Sequence, residues 1–521
     1  MTKLSRLLGL ALITILVAGC GTNPVTGKRE LQLVSEDEEK SIGALNYAPT
    51  RQAQGGDYLA DHKVAAYVRK IGMKLAAVSD RKLDYEFVVL NNSVPNAWAM
   101  PGGKIAVNRG LLVQLRSEAE LAAVLGHEIV HEAARHSAKG MERTMITQAG
   151  MSILALSVQN QDLAQAIVGG AGFGANLITA KFGRDDESEA DYYGMIYMQR
   201  AGYDLHAAVE LQETLLRLSG GKEAGWLDGL LASHPASAER VEANKKTLAE
   251  LKGKKGKRNA EEYAAAIDHL REKQTAYDNL DRAAAAHQRN NPEAALRFAQ
   301  AALAAEPNDA RIQEMMGDVL LARNDIAGAS QYYRESLRMD KSYFKPHLQL
   351  GLIAAEQGNR AEAEQFLNNS VKRLPTAMAH YALGLFAEER GETPVAVKHF
   401  QSAAESDSPA GKLAAQKWIK LELPARLNEF VVAKPVLTDD GKLALVVTNA
   451  TPVPLAKIGI TVAILDKTGR VAQGPLSYNI DQALGPQQEG TVVTGFAKLP
   501  KKLNAEQIAI RIDSAKVVQA K

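Results

Sequence analysis

Three features are scarce in this 521-residue sequence, and each scarcity argues against a class of protein. Cys20 is the single cysteine, so a disulfide framework within the chain is excluded. Net charge is the second scarce feature, since 62 lysines and arginines stand against 60 aspartates and glutamates, a formal charge of +2. This balance argues against the concentrated basic face of a nucleic-acid binder. The one dense basic run, Lys252–Arg258, is typical of a solvated linker, the alternative being a site for an anionic partner.

Long uninterrupted apolar runs are the third scarcity. The N-terminal run Leu7–Ala18 is shorter than the ~20 residues that a spanning helix needs. The stretch Met151–Ala180 is longer, but interior polar residues and a cluster of glycines interrupt it. We therefore predict that Met151–Ala180 forms helices and a loop rather than a membrane span.

The N-terminus has the layout of a signal peptide, with Lys3 and Arg6 ahead of the apolar run. The run ends in Val-Ala-Gly-Cys20, which resembles a bacterial lipobox, in which the cysteine is acylated and becomes the first mature residue. We predict a lipoprotein signal peptide over residues 1–20, lipidation of Cys20 and a periplasmic body. No aspartate follows the cysteine, which by the sorting pattern of such lipoproteins favours the outer membrane. The alternative is an ordinary cleaved signal with a stray cysteine.

The mature chain divides into three stretches of different periodicity, which predicts a multi-domain protein. Residues 21–251 mix helix and strand: His62–Val78 has helical apolar spacing, Tyr85–Leu90 is typical of a buried strand, and Ala97–Asn108 of a hairpin. Residues 428–521 alternate apolar and polar residues, which predicts a small all-β sandwich that serves as a docking or spacing module.

Residues 258–423 are alanine-rich and repetitive. Small residues recur with a period of 34 or 33, at Ala283, Gly317, Gly351 and Gly384, and a second series at Ala295, Ala329, Ala363 and Ala396 keeps the same phase. Paired helices that touch at small residues resemble the tetratricopeptide repeat. About four repeats would stack into an α-solenoid with a concave face for a protein partner, the alternative being a plain helical bundle.

The segment Val124–His136 carries the chemistry of interest, because it places three histidines and two glutamates on a predicted helix. Ser117–Glu120 is a helix-capping pattern, which predicts that His127 and His131 lie on a helix. Because they are four residues apart, they project from one helical face, the arrangement that two imidazoles need to share a zinc ion. Glu128, beside them, is placed to accept a proton from the attacking water. The alternative is a charged helix face with satisfied histidines.

The remaining metal ligand must come from elsewhere in the chain. Helical projection places His136 on the side opposite His127, since the residues between them favour continued helix. Downstream, Arg184–Asp204 begins acidic, continues with helical spacing and stops at Gly202, which predicts a second helix that carries carboxylates.

Four motifs stand out in residues 21–251, namely PNAWAMPGGKIAVNRGLL, ELAAVLGHEIVHEAARH, RDDESEAD and SHPASAER. Together they resemble zinc metallopeptidase family forty-eight, and the lipobox before them and the tetratricopeptide repeats after them resemble its bacterial periplasmic BepA-type branch. The resemblance implies a mostly helical, gluzincin-like α+β protease domain, one zinc ion per chain on His127, His131 and Glu187, and Glu128 as catalytic base. Asp191 lies one turn from Glu187, so we expect it to hydrogen-bond a ligand histidine, whereas Glu189 points to solvent or structure. Arg184 is expected to orient Glu187 or Asp191, the alternative being a plain surface ion pair.

The resemblance further implies an endopeptidase that acts on unfolded or misassembled envelope proteins. Substrate would pair with an edge strand at Asn96, Ala97 and Trp98. A different class also stays open, namely a chaperone or scaffold for outer-membrane protein assembly whose proteolysis is secondary. Two interpretations of His234 are open. It is either the helix-entry residue before Pro235, or a ligand that caps the zinc ion in a resting state.

Overall fold

A computed structural model describes residues 20–144, 182–219, 233–252, 255–496 and 504–518. The predicted signal peptide, up to residue 19, and the helices and loop predicted for Met151–Ala180 lie outside the described residues. Within the described ranges, no helix combines the length and the apolar character needed to cross a bilayer. The chain divides into two compact units, Met1–Leu374 and Pro375–Lys521, so the boundary falls inside the stretch predicted as repeats.

The first unit begins with an α+β region of short strands and longer helices. Its elements are β1 (Cys20–Thr22), β2 (Arg29–Leu31), α1 (Glu36–Ala53), α2 (His62–Ala76), β3 (Glu86–Leu90), β4 (Ala97–Met100), β5 (Lys104–Asn108), α3 (Arg109–Leu112), α4 (Glu118–Ala133), α5 (Arg184–Arg200), α6 (His206–Ser219) and α7 (Ala238–Glu250). The helices α2, α4 and α5 contribute buried apolar side chains to one core with the sheet.

The three-stranded sheet β3-β5-β4 positions the predicted substrate strand. β4 and β5 form the predicted antiparallel hairpin, and its turn is made by Pro101, Gly102 and Gly103, the two glycines having φ of +87° and +84°. β3 pairs parallel with β5, so β4 is left at one edge of the sheet. The helix α4 packs against β4, which brings the edge strand and the HExxH helix together.

Helix pairs follow in the first unit and pack against the α+β region. Their elements are α8 (Ala260–Ala266), α9 (Asp268–Glu272), α10 (Gln274–Gln288), α11 (Pro292–Ala305), α12 (Ala310–Ala322), α13 (Ile326–Met339), α14 (Phe344–Glu356) and α15 (Arg360–Val371). The side-chain amide of Asn91 donates to Asp309 at 2.8 Å, and the guanidinium of Arg109 lies 3.6 Å from the ring centre of Tyr277. The first repeats are therefore anchored to the α+β region by buried polar contacts.

The small residues of the repeat are explained by helix pairing. A side chain at Gly317 would meet the ring of Tyr333 at 2.5 Å, and one at Gly351 would meet Leu367 at 2.7 Å. Both glycines lie on the first helix of a pair, sixteen residues before the partner that fills the space. Glycine at this position lets a large apolar side chain of the second helix pack against the first helix.

The second unit contains helices followed by two small antiparallel sheets. Its elements are α16 (Ala377–Glu389), α17 (Thr393–Ala404), α18 (Pro409–Glu422), α19 (Leu427–Phe430), β6 (Val431–Leu437), β7 (Leu443–Asn449), β8 (Leu455–Leu465), β9 (Val471–Ile480), β10 (Glu489–Val493) and β11 (Ile508–Val517). The sheets are ordered β10-β7-β6 and β11-β8-β9. Alternate residues of β7 and β8 share one core, as the alternating pattern in the sequence predicts.

Candidate metal centre

The helix α4 places its two histidines together because of its cap and its apolar face. The Ser117 side chain accepts from the backbone N–H of Glu120 at 3.2 Å and caps the helix. The apolar positions Leu121, Leu125 and Ile129 are fully buried. One turn of helix then separates the two imidazoles, and His127 Nε2 lies 3.0 Å from His131 Nε2.

A pair of glycines lets α5 approach α4 closely. A side chain at Gly126 would lie 3.1 Å from the backbone oxygen of Gly194, and one at Gly194 would lie 3.1 Å from the backbone nitrogen of His127. This close crossing carries the carboxylates of α5 to the histidines. Glu187 Oε1 lies 3.4 Å from His131 Nε2, and Asp191 Oδ1 lies 3.0 Å from His127 Nδ1.

The segment before α7 completes the cluster with His234. Its Nδ1 lies 2.9 Å from Glu187 Oε1 and 3.2 Å from His127 Nε2. The N-cap of α7 is Ser237, whose side chain accepts from the backbone N–H of Arg240 at 3.2 Å. His234 therefore precedes the helix entry by three residues, and the helix begins without it.

These four residues offer a donor set that fits a metal ion. One ligand atom from each of His127, His131, Glu187 and His234 lies within 4.8 Å of the others. When His127 donates from Nδ1 to Asp191, its Nε2 presents a lone pair toward His131 Nε2 at 3.0 Å. Ring nitrogens directed at each other in this way are unfavourable unless a proton or a cation lies between them. Imidazole nitrogens with one carboxylate are ligands typical of zinc and related metals.

Glu128 lies at the edge of this cluster and is not one of its members. Its side chain is buried, and among the described residues its Oε2 has no hydrogen-bond partner. Oε1 lies 3.6 Å from His234 Nε2. Burial raises the pKa of the Glu128 carboxyl, since desolvation disfavours the charged form. A buried carboxylate oxygen that has no hydrogen bond and lies beside a metal cluster is available to exchange a proton with a water molecule or a substrate.

The charge states of His131 and Glu187 suit metal binding. Burial lowers the pKa of His131 well below its usual range, so the imidazole is neutral. For Glu187, burial acts to raise the pKa, but the imidazoles of His234, His131 and His127 outweigh it and lower the pKa. A neutral imidazole and an ionised carboxylate are the forms that coordinate metals.

Arg240 takes the role that the sequence predicted for Arg184. Its Nε and Nη2 each donate to Asp191 at 2.8 Å, and its Nη1 lies 2.8 Å from Glu187 Oε2. Arg184 is exposed at the first position of α5. The prediction for Arg184 is thus not supported, because the guanidinium that contacts both carboxylates comes from the SHPASAER motif more than fifty residues later.

The predicted position of His136 needs correction. The helix α4 ends at Ala133, and Arg135 adopts φ of +62°, so helical projection does not give the position of His136. His136 turns back toward the cluster, with its Nδ1 2.9 Å from His131 Nδ1. Glu189, expected to face solvent or serve structure, is not a member of the cluster, and its Oε1 lies 3.2 Å from His136 Nε2. No sequence motif pointed to Phe182, whose ring stacks on His131 at 3.9 Å between centroids.

The predicted edge strand and a small cavity flank the cluster. Asn96, Ala97 and Trp98 are buried, and Asn96 Oδ1 and Trp98 Nε1 have no hydrogen-bond partner among the described residues. A cavity of about 60 Å³ lies beside His127 and Glu128. Its walls are mainly apolar and include Val124, Met195, Met198, Leu211 and Leu215. A water molecule needs about 10–15 Å³ of such space, so the cavity has room for an apolar side chain of moderate size.

Known proteins resemble this chain in two regions. Residues 62–248 match the model of Peptidase family M48, and residues 280–343 and 348–411 match the tetratricopeptide repeat. The mitochondrial metalloendopeptidase OMA1 of Schizosaccharomyces pombe is 32% identical over 235 residues, which are 44% of this chain and 67% of the relative. Metalloprotease YcaL of Escherichia coli is 33% identical over 188 residues, 35% of this chain and 71% of the relative.

A third relative extends beyond the peptidase match. The beta-barrel assembly-enhancing protease of Escherichia coli is 26% identical over 350 residues, which are 61% of this chain and 70% of the relative. The fold and the site define a metalloendopeptidase with helical repeats. The chain belongs to peptidase family M48, and the predicted resemblance to the BepA-type branch is confirmed. The predicted multi-domain fold class is confirmed by the same matches, whereas the predicted domain boundaries stay predictions.

Proposed function

We propose that this protein is a zinc-dependent endopeptidase of the bacterial cell envelope that degrades misfolded or misassembled proteins. The observation that carries this proposal is the buried carboxylate of Glu128, whose Oε2 has no hydrogen-bond partner among the described residues, beside a cluster of three histidines and one glutamate. The relatives named metalloprotease YcaL and beta-barrel assembly-enhancing protease support the setting. The tetratricopeptide repeats would recruit partners or substrates, because their stacked helices form extended protein-binding surfaces.

The residues that would hold the zinc ion are His127, His131 and Glu187, which matches the three-protein-ligand pattern of catalytic zinc sites. Asp191 orients His127 through its Nδ1, and Arg240 holds both Asp191 and Glu187 in place. When bound, zinc supplies a Lewis acid that lowers the pKa of a coordinated water toward about 7 and polarises a carbonyl.

Glu128 performs the proton transfers of peptide hydrolysis. Its carboxylate accepts a proton as the water oxygen forms a bond to the peptide carbonyl carbon. It then donates that proton to the amide nitrogen as the carbon–nitrogen bond breaks. Burial raises the pKa of the Glu128 carboxyl, which makes it a stronger base for the first step.

Substrate selection follows from β4 and the apolar cavity. An extended polypeptide would pair with the edge of β4 through backbone hydrogen bonds, which are largely indifferent to sequence. The cavity would accept an apolar side chain, and such side chains are available in unfolded chains but buried in folded ones. The experiment that tests this function compares the cleavage of an unfolded and a folded protein by wild-type protein and by the Glu128→Gln variant.

We further propose that His234 caps the zinc ion in a resting state of the enzyme. Its imidazole already lies within hydrogen-bond distance of Glu187 and His127. A fourth protein ligand makes a closed zinc site, whereas catalysis needs an open position. Substrate or partner binding would displace His234 and open the site. Such restraint suits a protease that tolerates many sequences among folding envelope proteins.

Replacing His234 by alanine is expected to raise basal cleavage of an unfolded substrate several-fold while zinc stoichiometry stays at one. The open form then becomes the predominant form, so the free energy of displacing the imidazole is no longer required. Initial rates on an unfolded protein, together with zinc content, measure this. His206→Ala is the control, since His206 pairs with Asp204 elsewhere. A fall to the level of Glu128→Gln would show instead that His234 stabilises the transition state, and an unchanged rate would leave it without a role in catalysis.

The proposed location is the periplasm, with a lipid anchor on Cys20 in the outer membrane. Changing Cys20 to alanine is expected to move the protein from the membrane fraction to the soluble periplasmic fraction, because acylation needs the thiol. Fractionation followed by immunoblotting measures this, and Thr22→Ala, which keeps the cysteine, serves as the control. Continued membrane association of the Cys20→Ala protein would assign the anchor to another segment.

A further inference from the structure

A row of three side chains, His131, His136 and Glu189, leads away from the metal-facing side of the cluster. His131 Nε2 faces His127 and Glu187, whereas its Nδ1 lies 2.9 Å from Nδ1 of His136. His136 Nε2 in turn lies 3.2 Å from Glu189 Oε1. Both imidazoles are almost completely buried, with 0% and 1% of their surface exposed. These contacts are therefore shielded from competing water.

The end of α4 is built to hold His136 in this position. The backbone reverses at Arg135, whose φ of +62° is uncommon for a residue other than glycine. The Arg135 guanidinium pairs with Glu39 and donates to the backbone oxygen of Val34. This buried ion pair stabilises the turn that carries His136 back against His131. An unusual backbone conformation held by distant partners is a feature that concentrates at functional sites.

Glu189 is also held in place from a second direction. The side-chain amide of Asn23, a buried residue, lies 3.4 Å from the backbone oxygen of Ala134 and 3.5 Å from Glu189 Oε1. The carboxylate of Glu189 is therefore in position to accept hydrogen bonds from both His136 and Asn23.

The directions of the hydrogen bonds along this row of side chains follow from metal binding. If His131 coordinates through Nε2, that nitrogen keeps its lone pair, and the proton of the neutral ring lies on Nδ1. His131 Nδ1 must then donate to His136 Nδ1. The remaining proton of the neutral His136 lies on Nε2, where it donates to Glu189. One proton arrangement thus gives a partner to both ring nitrogens of His131 and of His136.

We propose that His136 and Glu189 form a positioning relay for His131, an inference that rests on the proposed zinc function. The relay holds His131 in the tautomer and ring orientation that coordinate the metal, and a hydrogen bond accepted from the far side of the ring increases the basicity of the ligand nitrogen. His127 obtains the same support directly from Asp191, whereas the ligand His131 obtains it through a second imidazole. Neither His136 nor Glu189 touches the reacting atoms.

The experiment measures zinc affinity by competition with a chelator for four variants and one control variant of the full-length protein. His136→Ala and Glu189→Ala are expected to weaken zinc binding about 10–100-fold, the range typical of residues that support metal ligands. His136→Gln is expected to bind more tightly than His136→Ala, because its amide can accept from His131 and donate to Glu189. Glu189→Gln keeps an acceptor without the charge and should fall between wild type and Glu189→Ala. His206→Ala, which removes a histidine paired with Asp204 elsewhere, should bind as wild type does.

A second measurement separates positioning from folding. The thermal stability of the metal-free variants reports structural damage, and the absorption spectrum of the cobalt-substituted proteins reports ligand geometry. The relay predicts a changed cobalt spectrum in His136→Ala and a spectrum close to wild type in His136→Gln. If His136→Ala fails to fold, the zinc affinities of Glu189→Ala and Glu189→Gln test the relay instead. Zinc affinity within twofold of wild type in folded His136→Ala or Glu189→Ala would overturn the relay. Wild-type protein that binds no zinc would overturn the proposed function, and the relay with it.

Discussion

Replacing Glu128 by glutamine is expected to lower peptide hydrolysis by about 10²–10⁴-fold while the protein still binds one zinc ion per chain. The amide has almost the shape of the carboxylate but cannot accept a proton at neutral pH. Glu128 lies outside the group of residues that could share a metal ion, so the metal site stays intact. Zinc content by elemental analysis and kcat/KM on an unfolded substrate measure the two effects separately.

Glu132→Gln is a matched control on the same helix. Burial raises the pKa of Glu132 to about 8, so its carboxyl is mostly neutral at pH 7, and a neutral amide resembles it. The acceptor for the backbone N–H of Gly103 is kept. We expect activity close to wild type. Wild-type activity in Glu128→Gln would show that a group other than Glu128 transfers the proton.

The Glu128→Gln variant also tests the alternative that the protein is mainly a chaperone or scaffold. Inactive Glu128→Gln protein, added to an envelope extract, should retain substrates that the wild-type protein cleaves, and identification of the retained proteins would show the substrate class. If the wild-type protein cleaves none of the proteins that the variant retains, the main function is that of a scaffold and the endopeptidase proposal fails.

Replacing Glu187 by alanine is expected to abolish activity by removing the zinc ion. The carboxylate is the negatively charged member of the cluster and lies within 3.6 Å of both His127 and His131. Its loss should weaken zinc binding by more than the about 10–100-fold typical of supporting residues. Equilibrium dialysis with zinc measures the loss, and excess zinc should restore part of the activity.

Asp185→Ala is the control for this prediction, because Asp185 lies on the same helix but is exposed. It should keep both zinc and activity. The order of zinc affinities is itself informative, since we expect Glu187→Ala to bind more weakly than Glu189→Ala. The reverse order would assign the metal to Glu189 and contradict the cluster geometry.

Short-range spacing in the sequence was sufficient to predict the parts of the site that lie on one helix. His127 and His131 are one turn apart, and Ser117 caps the helix that carries them, so local backbone geometry alone brings them to the same face. The repeats were predicted for the same reason, because each glycine meets a large side chain sixteen residues later in the same helix pair. The assignment of Glu187 needed the family resemblance as well, since no local rule relates α5 to α4.

The tertiary structure decided the contacts that depend on distant residues. Arg240, rather than Arg184, contacts Asp191, because the fold brings the start of α7 against α5. His136 reaches His131 because α4 ends at Ala133, although the residues that follow favour helix. The turn at Arg135 is stabilised by Glu39, which is 96 residues away in sequence. Helical periodicity describes a backbone that continues regularly, and it cannot predict where a long-range ion pair stabilises a left-handed residue that ends the helix.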